Sequence, residues 1–325
     1  MLLSFLNNSE ILSSEWDQFI MESPQGNIYH LHKYLTNLHP SWDAIIVKEG
    51  SAYIAIMPLC INTKVGIKFA TQPFFAQYLG ILFGKNNENK YKELEHKKKI
   101  INEIHNSIPQ ELKYINYNFA PEFDYELPLK WLGWSQKTIY TYWLDIKNGY
   151  DVFLKNAASH VRREIKKFEQ SNYRVLECNE PEIVLSILKL AKGDALKNID
   201  EHFFQALINN SKYYYEKAMS SCFLAYDGEK AIAGIIYFFY KNKMIYYQGS
   251  TLSEYKNSGA MTAIIAESIK KYSDEYEFLD FDGSMIEPIE RFFRGFGAFP
   301  MKYSNFTLNR LPLLPRLIQR FKSRI

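Results

Sequence analysis

Residues 276–303 read YEFLDFDGSMIEPIERFFRGFGAFPMKY. Over 276–281 aromatic and aliphatic residues alternate with acids, the period-two signature of a half-buried strand, which places Asp280 and Asp282 on one face. Gly283 and Ser284 end that strand. Ile286, Ile289, Phe292, Phe293 and Phe296 then fall at helical spacing, Pro288 suits a first turn, and Gly295 and Gly297 offer the exit, so the spacing predicts a helix over 286–296. Residues 301–308 return to strand character. Two carboxylates therefore point past a strand end, where open α/β sheets hold their ligands. Asp282 is the first candidate for a base or acceptor-orienting group and Asp280 the second. Each has a structural alternative, as a cap for the following helix or a partner of Arg291 or Arg294, which themselves either grip a phosphate or carboxylate or form a solvated helix face.

Working back from this stretch, residues 258–272 read as a helix. Strands at 222–226, 231–240 and 244–250, with turns at Asp227-Gly228 and Lys241-Asn242-Lys243, form a meander. Helices are predicted over 182–196 and 200–214, and a strand over 173–177. Asp151 is the expected N-cap of helical sequence running to Phe168. The polar side of that segment, Arg162, Arg163, Lys166 and Lys167, is basic. It suits an anionic acceptor or a tRNA end, or else a solvated face.

The preceding half repeats the order. Helices are predicted at 15–22 and 27–38, three antiparallel strands at 42–47, 51–61 and 75–83, a charged helix at 87–107, and strands at 112–119 and 135–146. Tyr114-Ile115-Asn116-Tyr117-Asn118 aligns with Phe278-Leu279-Asp280-Phe281-Asp282, and Trp131-Leu132-Gly133-Trp134 with Phe293-Arg294-Gly295-Phe296. Both acids of the second half are amides in the first, which assigns reactivity to the second half and the shaping of a substrate cleft to the first, where Tyr29 and Tyr78 are candidates to line it, although in a chain with 24 tyrosines the core is the favoured place for both. The sequence thus predicts an α/β (α+β) chain of two tandem domains, 1–147 and 148–310. Each has a mixed, mostly antiparallel sheet flanked by helices. A tail over 311–325 follows, with Leu314, Leu317, Ile318, Phe321 and Ile325 on one helical face and Arg316, Arg320, Lys322 and Arg324 beside them, a pattern that either packs on the body or lies on an anionic membrane.

The chain has 325 residues, enough for two domains, and its 16% aromatic content marks a folded protein. A net charge of +3 argues against a strongly basic nucleic-acid binder and leaves room for a local basic patch; no DNA partner is expected. The three cysteines, Cys60, Cys178 and Cys222, fit a reducing compartment without a disulfide framework. The N-terminal stretch has no signal-peptide pattern and no run reaches the roughly 18 apolar residues of a membrane span, so the expected compartment is the cytoplasm. His30 and His32, two apart on a predicted helix, cannot both face one ion, and no metal is expected. The sequence sets no oligomeric state.

In its order of helices, meander, helix, strand, helix and strand, the chain resembles the GNAT acyltransferase fold, and the tandem arrangement resembles the FemAB-like branch. That branch includes peptidoglycan-bridge aminoacyltransferases and acyl-CoA-using relatives. The second half carries the likeness through Arg162-Arg163-Glu164-Ile165-Lys166-Lys167, residues 255–261, Phe281-Asp282-Gly283-Ser284 and Arg291-Phe292-Phe293-Arg294-Gly295-Phe296-Gly297. The first carries it more loosely, at Trp16, Ile28-Tyr29-His30 and Gln77-Tyr78-Leu79-Gly80. The resemblance implies transfer of an acyl group, with acetyl-CoA or another acyl-CoA as co-substrate, to an amine such as a nucleotide sugar, an amino acid or a cell-wall precursor. Aminoacyl transfer from tRNA is the second expectation, and a fold retained for binding alone the third. The resemblance also implies a pyrophosphate loop at Lys256, Ser258, Gly259 and Ala260, an oxyanion donor on the preceding strand around Tyr247 to Ser250, and Gly249 and Ser250 among the cofactor-binding residues. Lys256-Asn257-Ser258-Gly259-Ala260-Met261 is only a partial version of that loop. No segment leaves room for the long coiled-coil arm common among tRNA users, and Arg294 stands where many relatives have lysine.

Overall fold

The computed structural model describes residues 1–85, 89–283 and 285–312. The chain forms two compact units, Tyr140–Lys302 and Met1–Ile139 with the segment that begins at Tyr303.

In the second unit the strands lie in the order 140–145, Phe278–Asp280, Lys243–Thr251, Lys230–Tyr240, Ser220–Asp227 and Tyr173–Cys178. Only Lys243–Thr251 and Phe278–Asp280 run parallel; the other neighbours are antiparallel. Helices cover both faces, so the central strand is apolar along nearly its whole length instead of alternating, and residues 232–240 are all buried. One face, with Phe223, Ala233, Ile235, Tyr237 and Phe239, packs on helices Ser159–Glu169 and Ala260–Tyr272 through Val161, Ile165, Ile264 and Ile269. On the other, Gly234 lies against Val184 of helix Pro181–Lys192 and Phe238 against Tyr214 of helix Glu201–Tyr215.

The first unit holds a four-stranded antiparallel sheet, Leu2–Asn7, Asp43–Glu49, Ala52–Leu59 and Leu82–Phe83. A second set joins the hairpin Ile61–Lys64/Ile67–Thr71 to Leu112–Phe119, which pairs with residues 304–309. The strand read at 75–83 is a loop over most of its length. Phe75 has φ +67° and Gly80 φ +115°, and a Cβ on Gly80 would sit 2.5 Å from the ring of Phe119, so the backbone presses on an aromatic face that only glycine allows. The strand at 2–7 and the 61–71 hairpin were not expected.

The domain limits read from sequence, 147/148 and 310, differ from the division at 139/140 and 302/303. Leu144 and Asp145 pair with Leu279 and Phe278, and Tyr142, Leu144 and Ile146 sit in the second unit's core. Residues 304–309 pair instead with 114–119 in the first unit. The division thus falls inside two strands. Of the amphipathic tail, residues 313–325 lie outside the described residues. Among the described residues no helix is long and apolar enough to cross a membrane.

Candidate functional site

The one parallel ladder of the second unit lasts three residue pairs, Lys243 with Phe278, Met244 with Leu279 and Ile245 with Asp280. Beyond it lies a cavity of about 390 Å³, bounded on one side by Tyr246, Tyr247, Gln248 and Gly249 and on the other by Phe281, Asp282 and Gly283. Two local devices open it. The pairing of Lys243–Thr251 with Lys230–Tyr240 shifts register between Gln248 and Tyr246, leaving Tyr247 as the extra residue of a β-bulge, which bends the strand. On the other side Asp282 has φ +57° and Gly283 φ +76°, so two successive left-handed residues turn the chain out of the sheet. Aspartate tolerates this conformation better than larger residues do.

This turn overrides the expectation that Asp280 and Asp282 share a face, because the strand stops at Asp280. Asp280 is buried: its Oδ1 accepts from Thr141 Oγ1 at 2.6 Å and from the Asp282 backbone N–H at 3.0 Å. Burial drives its carboxyl above the ordinary carboxylate range, opposed by the charge of Lys243 and by these hydrogen bonds. Asp280 is thus a support for the turn, and Asp282 is the carboxylate that lines the cavity.

The helix predicted at 286–296 forms over Glu287–Gly295 and gives the cavity Pro288, Ile289, Phe292 and Phe293. Phe281 stacks on Phe293 at 4.4 Å. Arg291 and Arg294 are on the opposite side of this helix, exposed, with Arg294 Nε donating to Glu290 at 2.9 Å. They do not grip a ligand in this cavity. Its cation is Lys192, the last residue of helix Pro181–Lys192, whose ammonium desolvation holds below the usual lysine range. No spacing in the sequence ties residue 192 to residue 282, which is why reading by motif passed over it. Gly249 also lines the cavity, and a Cβ there would fall 2.2 Å from Tyr246 Oη, so the tyrosine hydroxyl takes the space a side chain would need. Ser250 is buried opposite Gly234 and is not among the cavity's lining residues.

At the expected pyrophosphate loop, Gly259 caps helix Ala260–Tyr272 with φ +81°. The helix start is engaged by the protein itself. Ser258 Oγ accepts from the Ala260 N–H at 3.1 Å, Thr262 donates to the Glu164 carboxylate, and a Cβ on Gly259 would lie 2.8 Å from the Glu164 carbonyl oxygen. Lys167, expected to bind substrate, donates to Asn257 O at 2.6 Å and so anchors this loop. Lys256 and Arg163 are exposed. Glu164 thus brings a carboxylate to the first turn of this helix, where its charge is like that of a pyrophosphate.

In the first unit Tyr29 and Tyr78 are buried, 1% and 5% exposed, with their rings 6.1 Å apart. They are core residues there. Asn118, the counterpart of Asp282, accepts from Asn305 Nδ2 at 2.9 Å and donates to Gln77 O at 3.2 Å. Among the described residues no group of three or more histidines, cysteines and acids is placed to hold a metal ion.

No protein-family model and no curated protein matches the sequence. Solved structures do. FemX is similar over 97% of this chain and 98% of its own, at 14% identity and a TM-score of 0.66. A tandem GNAT protein from the clavulanic acid biosynthesis pathway is similar over 96% and 99%, at 9% identity and 0.55. L-PGS from Bacillus licheniformis is similar over 94% of each chain, at 8% identity and 0.53. Likeness this distant carries architecture and not chemistry: the chain shares its fold with FemX and with that tandem GNAT protein.

Proposed function

We propose that the chain transfers an acyl or aminoacyl group to an amine in the cavity between residues 246–249 and 281–283. The observation that carries this reading is the opening itself. Two parallel strands end their ladder beside a bulge and leave room for a substrate, with backbone on one wall and the Asp282 carboxylate on the other. Aminolysis of an ester or thioester needs these two elements. The amine nitrogen attacks the carbonyl carbon, and the oxyanion that forms needs donors, which the bulged backbone near Tyr247 would supply. The nitrogen must then lose a proton, which Asp282 accepts directly or through water before the leaving group departs. Phe281, Phe292 and Phe293 keep bulk water from the acyl carbon.

For the donor, the position of Glu164 favours an aminoacyl ester carried on tRNA over an acyl-CoA. The basic face of helix Ser159–Glu169, with Arg163 and Lys166 exposed, supports the same choice. The acceptor class is that expected from sequence, an amino acid, a nucleotide sugar or a cell-wall precursor carrying a free amine, with Lys192 placed to meet an anionic group.

The test is product formation, followed by mass spectrometry, from a panel of aminoacyl-tRNAs and acyl-CoAs with amine acceptors. Once a pair is found, Asp282→Asn should lower turnover by about 10²-fold or more with little change in melting temperature. Full turnover by that variant would remove Asp282 from the chemistry, and a melting-temperature rise with acetyl-CoA that Glu164→Gln enlarges would restore acyl-CoA as the donor.

A further inference from the structure

Cys178 ends the strand Tyr173–Cys178, and Cys222 lies in Ser220–Asp227; in the antiparallel ladder between them these two residues are register partners. Directly opposed residues of such a ladder project to the same face with Cβ atoms about 4.5–5.5 Å apart. A disulfide asks for Cβ atoms roughly 3.5–4.5 Å apart and Cα atoms roughly 4.4–6.8 Å apart, a small approach from that starting point. The backbone N–H of Glu180 acts on both thiols. Cys222 Sγ is also 3.9 Å from Ser211 Oγ, on the face covered by helix Glu201–Tyr215. The strand that must move is the edge strand of the sheet, and Cys178 is its last residue. Cys178 is half-buried and reachable by a small oxidant, whereas Cys222 is buried.

We propose that Cys178 and Cys222 are an oxidisable dithiol that closes to an intramolecular disulfide on exposure to a peroxide. The Cys178 thiol gives up its proton, its thiolate attacks one oxygen of hydrogen peroxide, the O–O bond breaks, and a sulfenic acid and a hydroxide result, the hydroxide taking up that proton as one water. The Cys222 thiolate then attacks that sulfur, the S–O bond breaks, and the hydroxide leaves as a second water. Each sulfur gives up one electron and the peroxide takes two. Burial holds the two thiols up, at about 11 for Cys178 and about 12 for Cys222, so the pair rests reduced and reacts slowly near neutral pH. The closed link ties the chain three residues before helix Pro181–Lys192 to the neighbouring strand Ser220–Asp227, and so fixes the base of the helix that carries Lys192 to the cavity.

The full chain, purified reduced, is treated with hydrogen peroxide under native conditions, the remaining thiols are alkylated, and intact mass and peptide maps are read. The expected result is loss of two hydrogen atoms, one linked peptide pair containing Cys178 and Cys222, a higher melting temperature, and reversal by dithiothreitol. Cys60→Ser should keep this behaviour, while Cys178→Ser and Cys222→Ser should lose it. Circular dichroism checks that each variant is folded, with Cys222→Ala as the alternative where serine is not tolerated in the buried site. Oxygen added to Cys178 without a link, a disulfide between two chains, or an unchanged mass at a peroxide dose that oxidises glutathione in a separate tube would each overturn the proposal.

Discussion

At the scale of single residues, Asp280, Asp282 and Asn118 look alike in sequence and do different things. Asp280 has a folded-state carboxyl held above its usual range by burial. Between the ordinary aspartate value of about 3.9 and that raised value the folded protein binds more protons than the unfolded chain, so stability falls as pH rises through the interval and stays lower above it. Asp280→Asn keeps an acceptor for Thr141 and for the Asp282 N–H and has no charge to bury. Its melting temperature relative to the parent should therefore climb as pH is raised through the acid range and then level off; a difference that is flat with pH would show that Asp280 is not the titrating group. Asn118→Asp should cost stability without touching turnover. It removes the donor to Gln77 O, and the loss should be about 1–2 kcal/mol by chemical denaturation. The likeness of Asn118 to Asp282 was visible in the sequence, but their roles were not, because the left-handed turn at Asp282 leaves no trace in a period-two pattern.

Among the elements, the helices of the second unit and its meander were legible because their apolar spacing matches their burial. The helix Glu287–Gly295 shows how far that goes. Phe292 and Phe293 lie on its inward side as their spacing predicts, while Arg291 and Arg294, for which the sequence leaves a ligand grip and a solvated face open, are turned away from the cavity. The run at 75–83 failed for a different reason. Its aromatic density is that of a strand, yet Gly80 serves a close approach to Phe119 that no local pattern announces. The start of helix Ala260–Tyr272 offers a test at this scale. Gly259→Ala combines a strained φ with a Cβ 2.8 Å from the Glu164 carbonyl, and a loss of roughly 1–3 kcal/mol is expected in denaturant titrations. A loss below that of an exposed left-handed glycine such as Gly228 would mean that helix Ser159–Glu169 yields easily at this contact.

For the whole molecule, the two-unit division gives different fragments from those the sequence suggested. A fragment of residues 140–302 retains Tyr142, Leu144 and Ile146 in the core and the pairing of 143–145 with 278–280, and should melt cooperatively. One of residues 148–310 lacks those contacts and should show a lower, broader transition and faster proteolysis; equal behaviour of the two would place the division elsewhere. The tandem order itself was legible from repetition, but the exchange of strand 303–309 was not, since a strand's partner is a matter of topology and not of local spacing. That exchange sets an order of events on the ribosome. The second unit is continuous and can fold as it emerges, whereas Leu112–Phe119 must wait for residues 304–309 until all of it has been made. At about 5–20 residues per second that wait is on the order of ten seconds, during which the nascent chain carries an unpaired strand edge and is a natural client for chaperones.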